Sequence, residues 1–310
     1  MTTQKLTIGW IGVGRMGYQL VTRLLDAGYD VAVYNRTRSK AEPLTEKGAI
    51  VVDRPVELAS RNLVFSMVSA SKDLEHVMLG DGGLLTGEES PRIIADSSTV
   101  SVEASELIRA AATERGTAFL ATPVSGNPAV IAAGKLTVAV SGPRETFDEV
   151  ETVLRTFGRG VTYVGDGEVA RLVKIAHNIF LGVVTQSLAE ITVLAEKGGV
   201  SREAFLSFLN DSVMGSIFTQ YKTPALVNLD FEPTFTNVLL QKDFDLGLDA
   251  AKTLGVVMPV ASVTRNLVAQ EVGNGNVEQD FASLVLTVAG GSGLQLVSEN
   301  ADVSDGLEAP

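Results

Sequence analysis

The chain has 310 residues, enough for two domains, and 45% of them are apolar, as in a protein with a large core. Its formal net charge of −12 excludes a surface built for nucleic acid, whose phosphates demand basic partners. With no cysteine and only His76 and His177, the chain forms no disulfide and offers no thiolate and imidazole set for zinc, so no metal is expected.

Residues 6–11, 30–34, 63–67, 93–96, 118–121 and 136–140 read as strands from their β-branched runs, and 161–164 closes the series. Amphipathic stretches at 19–27, 101–115 and 144–156 read as helices between them. Such alternation predicts a mostly parallel sheet covered on both faces. From 168 to 197 helical spacing continues with no breaker stronger than Gly182, until Gly198-Gly199 ends it. That helix would span about 45 Å, more than one small domain needs. Further helices are expected at 201–210, 239–254 and 260–272, separated by Pro233 and Pro259. The most apolar stretch, 179–195, is interrupted by Thr185, Gln186, Ser187 and Glu190, which predicts a buried helix and no membrane span. Met1 leads almost directly into the first apolar run, without the regions of a signal peptide, and the expected location is the cytoplasm.

Directly after the first strand stands Gly12-Val13-Gly14-Arg15-Met16-Gly17, opening a helix. The first glycine permits the tight turn, the second admits a pyrophosphate to the backbone, and the third lets helix and strand pack closely. The helix N-terminus adds free N–H groups and a positive dipole end. In a strand–loop–helix context this pattern predicts a dinucleotide site. The second strand ends in Asn35-Arg36-Thr37-Arg38, where an NAD site places an acid for the ribose 2′-hydroxyl. A carboxylate repels a 2′-phosphate, whereas guanidinium and hydroxyl groups bind it, so NADP(H) is the expected cofactor.

The expected architecture is therefore α/β. An N-terminal Rossmann-type doubly wound sheet (1–165) is joined through a long interdomain helix to an all-α C-terminal domain (166–296). An acidic tail at 297–310, with four acids and no base, is expected to be disordered. On the long helix, Lys174 and Asn178 lie four apart and share a face within an apolar run. An inward lysine is costly unless it is paired or working. A proton donor beside a carbonyl is what a nicotinamide-dependent reduction requires. His177, one residue away, reads as a packing residue.

Together these motifs resemble the β-hydroxyacid dehydrogenase family, which includes 3-hydroxyisobutyrate dehydrogenase, tartronate semialdehyde reductase and glyoxylate/succinic semialdehyde reductases. The similarity covers roughly residues 5 to 295. It runs through Gly12–Gly17, Asn35-Arg36-Thr37, Asp96-Ser97-Ser98-Thr99, Pro123-Val124-Ser125-Gly126, Lys174 with Asn178, and Lys242-Asp243. The resemblance implies that Lys174 is the general acid in reduction and the base in oxidation, with Asn178 orienting it and the substrate. It implies that Ser125 and Gly126, with Asn127 beside them, bind a substrate carboxylate. Met67, Val68, Ser69 and Thr99 would line the cofactor, and Lys242 would close the site. Phe231 and Phe235 are further candidates for the pocket wall.

The chain departs from the family in its substrate loop, which reads Ala121-Thr122-Pro123-Val124-Ser125-Gly126-Asn127 where Asp-Ala-Pro-Val-Ser-Gly-Gly is usual. The Asn127 carboxamide would project where the family has only backbone. Ala170 replaces a usual glycine, and Val68-Ser69 a usual Leu-Pro. Lys174-x-x-His177-Asn178 also resembles 6-phosphogluconate dehydrogenase, but the helix lacks that enzyme's nearby Glu. Imine reductases share the architecture and usually carry Asp or Tyr at the lysine position. A non-catalytic NADPH-binding sensor or assembly protein is the alternative of another class. The expected partners are a short carboxylate-bearing aldehyde or hydroxyacid and a second copy of the chain, as a homodimer or homotetramer packed through the helical domains.

Overall fold

Short apolar runs alternate with helices through the first half of the chain in the computed structural model, which describes residues 6–307. The expectation for the amino-terminal segment falls largely on residues 1–5 and, like the last three residues of the tail, lies outside the described residues. In chain order stand β1 (Ile8–Ile11), α1 (Arg15–Asp26), β2 (Val31–Tyr34), β3 (Ile50–Val52), β4 (Leu63–Ser66), α2 (Ser71–Leu79), β5 (Ile93–Asp96) and α3 (Val102–Glu114). They are followed by β6 (Ala118–Ala121), β7 (Val124–Ser125), α4 (Pro128–Ala132), β8 (Leu136–Ser141), α5 (Arg144–Leu154) and β9 (Gly158–Gly165). The strands form one sheet in the order β3-β2-β1-β4-β5-β6-β8-β7, with β9 also paired to β8. From β3 to β6 every pairing is parallel, and β8 runs antiparallel to β6 and β7.

The sheet is buried on both faces because successive side chains of a strand point to opposite sides. Ile8 and Trp10, Val31 and Val33, Leu63 and Phe65 enter one core with Leu20, Leu24 and Phe157. Ile11, Ala32 and Val64 enter the other, with Leu74, Ile94 and Ile108. The chain reverses its winding between β1 and β4, the point at which doubly wound sheets open a crevice beyond the strand ends.

The second half is helical: α6 (Val169–Lys197), α7 (Arg202–Asp211), α8 (Ile217–Asn228), α9 (Asn237–Leu254), α10 (Pro259–Gly273) and α11 (Leu284–Gly291). Ile175, Ile179, Leu188, Leu240, Phe244 and Val285 are among the residues of its own core. Two glycines let α6 and α9 approach closely. A Cβ at Gly182 would lie 2.4 Å from the Phe244 ring, and one at Gly247 2.0 Å from Ile179. Among the described helices α6 is long and apolar enough to cross a membrane, and half of its most apolar window is buried, as in a core helix.

The chain divides into two compact units, Met1–Lys174 and Ile175–Pro310, so the break falls inside α6 where the sequence places it at 165. The tail differs more from expectation. Glu299 accepts the backbone N–H groups of Arg202 (2.7 Å) and Glu203 (2.9 Å) at the start of α7. Asn228 and Ala301 exchange two hydrogen bonds, and Leu307 is buried. Residues 297–307 are thus irregular but tied down, because a carboxylate that solvates a free tail can also satisfy a helix N-terminus.

Candidate active site

The glycine loop takes the form its residue types demand. Gly12 has φ of +98°, and a Cβ there would lie 2.2 Å from the Met67 carbonyl oxygen. A Cβ at Gly17 would lie 2.1 Å from the Gly12 oxygen, which is the close helix–strand packing expected of the third glycine. Around Gly14 no atom lies within 4 Å of an added Cβ, and α1 begins there without a side-chain cap. This is an open cradle at a helix N-terminus, the setting a pyrophosphate requires. Among the other loop residues Val13 is buried, Met16 half-buried and Arg15 exposed.

At the end of β2, three of the four expected residues, Asn35, Arg36 and Arg38, do different things. Asn35 accepts the Val13 N–H (2.8 Å) and donates to the Thr37 carbonyl (2.8 Å). It is thus a brace between the glycine loop and the following turn, and its side chain is spent on protein. Arg36 reaches solvent, 80% exposed, and pairs with Asp73 at 3.1 Å. Arg38 pairs with Asp53 and, at 3.6 Å, with Glu42. Both guanidinium groups therefore already face carboxylates that a 2′-phosphate would have to displace. Exposed pairs are held weakly, which makes that exchange feasible.

The loops after β4 and β5 are joined to each other. The Val68 N–H donates to Ser98 Oγ (2.9 Å), and the Met67 N–H to the Ile11 carbonyl (2.8 Å). Met67, Val68 and Thr99 are half-buried and Ser69 is exposed, so these loops present both covered and accessible groups beside the strand ends. Ser125 belongs to the short strand β7, paired with Thr137 of β8, where the sequence predicts only a loop. Gly126 has φ of +145°, and a Cβ there would lie 2.7 Å from Leu136. Asn127 corrects an expectation. Its carboxamide does not project from the loop but is 7% exposed and caps α4, with Oδ1 accepting the Val130 N–H at 2.9 Å. Asn is a preferred residue at a helix N-cap, and Pro128 follows at the first helical position.

On α6 a polar stripe runs through Arg171, Lys174 and Asn178, spaced three and four apart. Arg171 is 1% exposed and pairs with the fully buried Asp96 at 2.6 Å. Lys174 is half-buried. Asn178 is buried and donates Nδ2–H to Asp243 of α9 at 2.5 Å, while its Oδ1 lies 3.0 Å from His177 Nδ1. A carboxylate only accepts, so Asp243 orients the amide. Lys242 is half-buried, with Nζ 3.5 Å from Asp243 Oδ1. Phe231 and Phe235 pack at the edge of the helical core, and Phe235 meets the Phe281 ring edge-on at 5.9 Å. Sequence reasoning missed Arg171, and it named Asp243 only as the neighbour of Lys242, with no role of its own. The signal for Arg171 was the same as for Lys174, a charged residue in an apolar helical run, one turn earlier.

Comparison with known proteins bears on both halves. Residues 7–165 match the model of the NAD binding domain of 6-phosphogluconate dehydrogenase. Residues 165–288 match that of the NAD-binding of NADP-dependent 3-hydroxyisobutyrate dehydrogenase. The chain is 32% identical to the uncharacterized oxidoreductase YfjR of Bacillus subtilis, over 90% of this chain and 99% of that protein. It is 28% identical to the chloroplastic glyoxylate/succinic semialdehyde reductase 2 of Arabidopsis thaliana, over 90% of this chain and 78% of that one. Among solved structures, 3-hydroxyisobutyrate dehydrogenase of Mycobacterium tuberculosis with L-serine superimposes with a TM-score of 0.80 at 25% identity. That match covers 92% of this chain and 99% of the other.

Proposed function

Because the chain belongs to the β-hydroxyacid dehydrogenase family, and hence to the oxidoreductases that bind a nicotinamide cofactor, we propose that it interconverts a small β-hydroxyacid and its aldehyde with NADP(H). The observation that carries this reading is Lys174 on one helix stripe with an asparagine whose amide is oriented by a buried carboxylate. NADPH, when bound, supplies the hydride. Lys174 Nζ then gives a proton to the carbonyl oxygen in reduction and takes one from the hydroxyl in oxidation. Asn178, held by Asp243, orients the reacting oxygen. Ser125, with the Gly126 backbone, binds the substrate carboxylate. The uncapped start of α1 takes the pyrophosphate, and Arg36 with Thr37 takes the 2′-phosphate. The relative solved with L-serine, itself a β-hydroxy acid, supports a small carboxylate-bearing substrate.

The test is oxidation of NADPH and of NADH against glyoxylate, succinic semialdehyde, methylmalonate semialdehyde and tartronate semialdehyde, with a cyclic imine as control. NADPH-dependent turnover of one acid aldehyde is the expected result, and activity confined to the imine would overturn the substrate class. Lys174→Ala should lower kcat by about 10²–10⁴-fold. Its NADPH affinity, read by fluorescence titration, should stay near that of the parent. For assembly, the exposed Phe180, Leu194, Phe208 and Val257 of the helical unit support a homodimer or homotetramer, and light scattering at a monomer's mass would refute it.

A further inference from the structure

We infer that Arg171 is a positioning residue, which holds the turn of α6 that carries Lys174 against the loops after β4 and β5. The inference rests on the reading of Lys174 given above. The Arg171 guanidinium donates to Asp96 Oδ2 (2.6 Å), to the Ser98 carbonyl (2.6 Å) and to Ser105 Oγ (3.2 Å). The other Asp96 oxygen accepts from Ser66 Oγ (2.6 Å) and Ser98 Oγ (2.7 Å). Ser98 Oγ in turn accepts the Val68 N–H. One guanidinium thereby connects α6, the ends of β4 and β5, and the first turn of α3. The start of α6 is held twice more. Glu168 accepts from Ser105 Oγ and from Arg109 Nε (both 2.5 Å), and Ser141 Oγ accepts the Ala170 N–H at 3.1 Å.

A buried ion pair by itself is weak warrant for stability, since an apolar filling often serves as well. What an apolar side chain cannot supply is a planar fork fixing three partners at set directions. Lys174 stands three residues beyond Arg171, about 4.5 Å along the axis on nearly the same face. Its height and azimuth relative to Val68 and Thr99, the proposed cofactor wall, are therefore set by the fork. Misplacement of a proton donor by about 1 Å can cost on the order of 10²-fold in rate.

The experiment compares the full chain with Arg171→Lys, Arg171→Gln and Lys174→Ala, all with NADPH and the acid aldehyde turned over fastest by the parent. Three readouts are taken: kcat against KM, the isotope effect with 4-deuterated NADPH, and amide hydrogen exchange with NADP+ bound. Arg171→Lys should lower kcat at least about ten-fold with KM for NADPH changed less than about three-fold, because geometry and not cofactor affinity is lost. The isotope effect should rise, and exchange should quicken at Val68 and across 97–100. Arg171→Gln should be worse and Arg171→Lys a partial rescue of it. A folded Arg171→Lys with unchanged kcat, a loss confined to KM, or unchanged exchange at Val68 and 97–100 would each overturn the inference. The exchange measurement requires no substrate, so it decides even where turnover is too slow to resolve or Arg171→Gln fails to fold. Lys174→Ala separates the two readings. Full activity in that variant removes the role of Lys174, whereas an inactive Lys174→Ala beside a fully active Arg171→Lys removes only the role of Arg171.

Discussion

Two arginine–aspartate pairs in the first unit have the same chemistry and opposite uses. Arg36 and Asp73 meet at 3.1 Å with 80% and 33% of their side chains exposed, whereas Arg171 and Asp96 meet at 2.6 Å with 1% and 0% exposed. Water screens the first pair and competes for both partners, so a ligand phosphate can exchange with the carboxylate. The second is buried away from solvent, so its donors and acceptors are met by protein, and it becomes a fixed joint between elements. Burial, and not residue type, decides which arginine can exchange its partner and which is fixed in the scaffold.

The sharpest way to break this comparison is to cut the buried pair on its acid side. Asp96→Ala leaves the buried Arg171 guanidinium only the more distant Glu168 carboxylate, at 3.7 Å, and should cost about 3 kcal/mol in urea denaturation. A loss no larger than that of a surface substitution would mean the joint is relieved by local rearrangement. Arg36→Ala comes next. It should raise the NADPH KM by about 10- to 100-fold, the worth of a hydrogen bond to a charged group, and leave NADH unchanged. Equal effects on both cofactors would take the 2′-phosphate away from this loop.

Between the extremes lies half-buried Glu299, whose carboxylate accepts two N–H groups at the start of α7. Glu299→Ala should cost about 1 kcal/mol in thermal unfolding, the worth of a helix cap. A neutral result would return the tail to the role of a solvated segment. The smallest effect is expected for Asp73→Asn. Freeing Arg36 from an exposed partner should tighten NADPH by about two- to three-fold, in proportion to the weakness of such pairs. No change would show that the pair already dissociates in solution.

Local pattern made much of the scaffold legible. The parallel strands from β1 to β6 were readable except for β3, three residues long with its first side chain facing solvent. β7 was missed for a related reason: two residues carry no period, and only its partner β8 makes Val124-Ser125 a strand. The glycine loop was readable because steric demands at Gly12 and Gly17 are local. The site was less so. Asn127 was expected to face outward on the grounds of its neighbours in a loop, but the Val130 N–H in the first turn of α4 drew its oxygen into a cap. Asn35, expected at the cofactor, is claimed by the Val13 N–H across the loop.

The sequence alone determined the doubly wound sheet, the dinucleotide loop, the long helix and the stripe that carries Lys174, because each depends on spacing within a few turns of chain. Only the tertiary structure decided what those side chains meet. Asp96 lies 75 residues from Arg171 and Asp243 lies 65 from Asn178, and no local period encodes either pairing. A buried charge selects its partner from whatever the packed elements bring within about 3 Å, and that choice exists only once the core has closed.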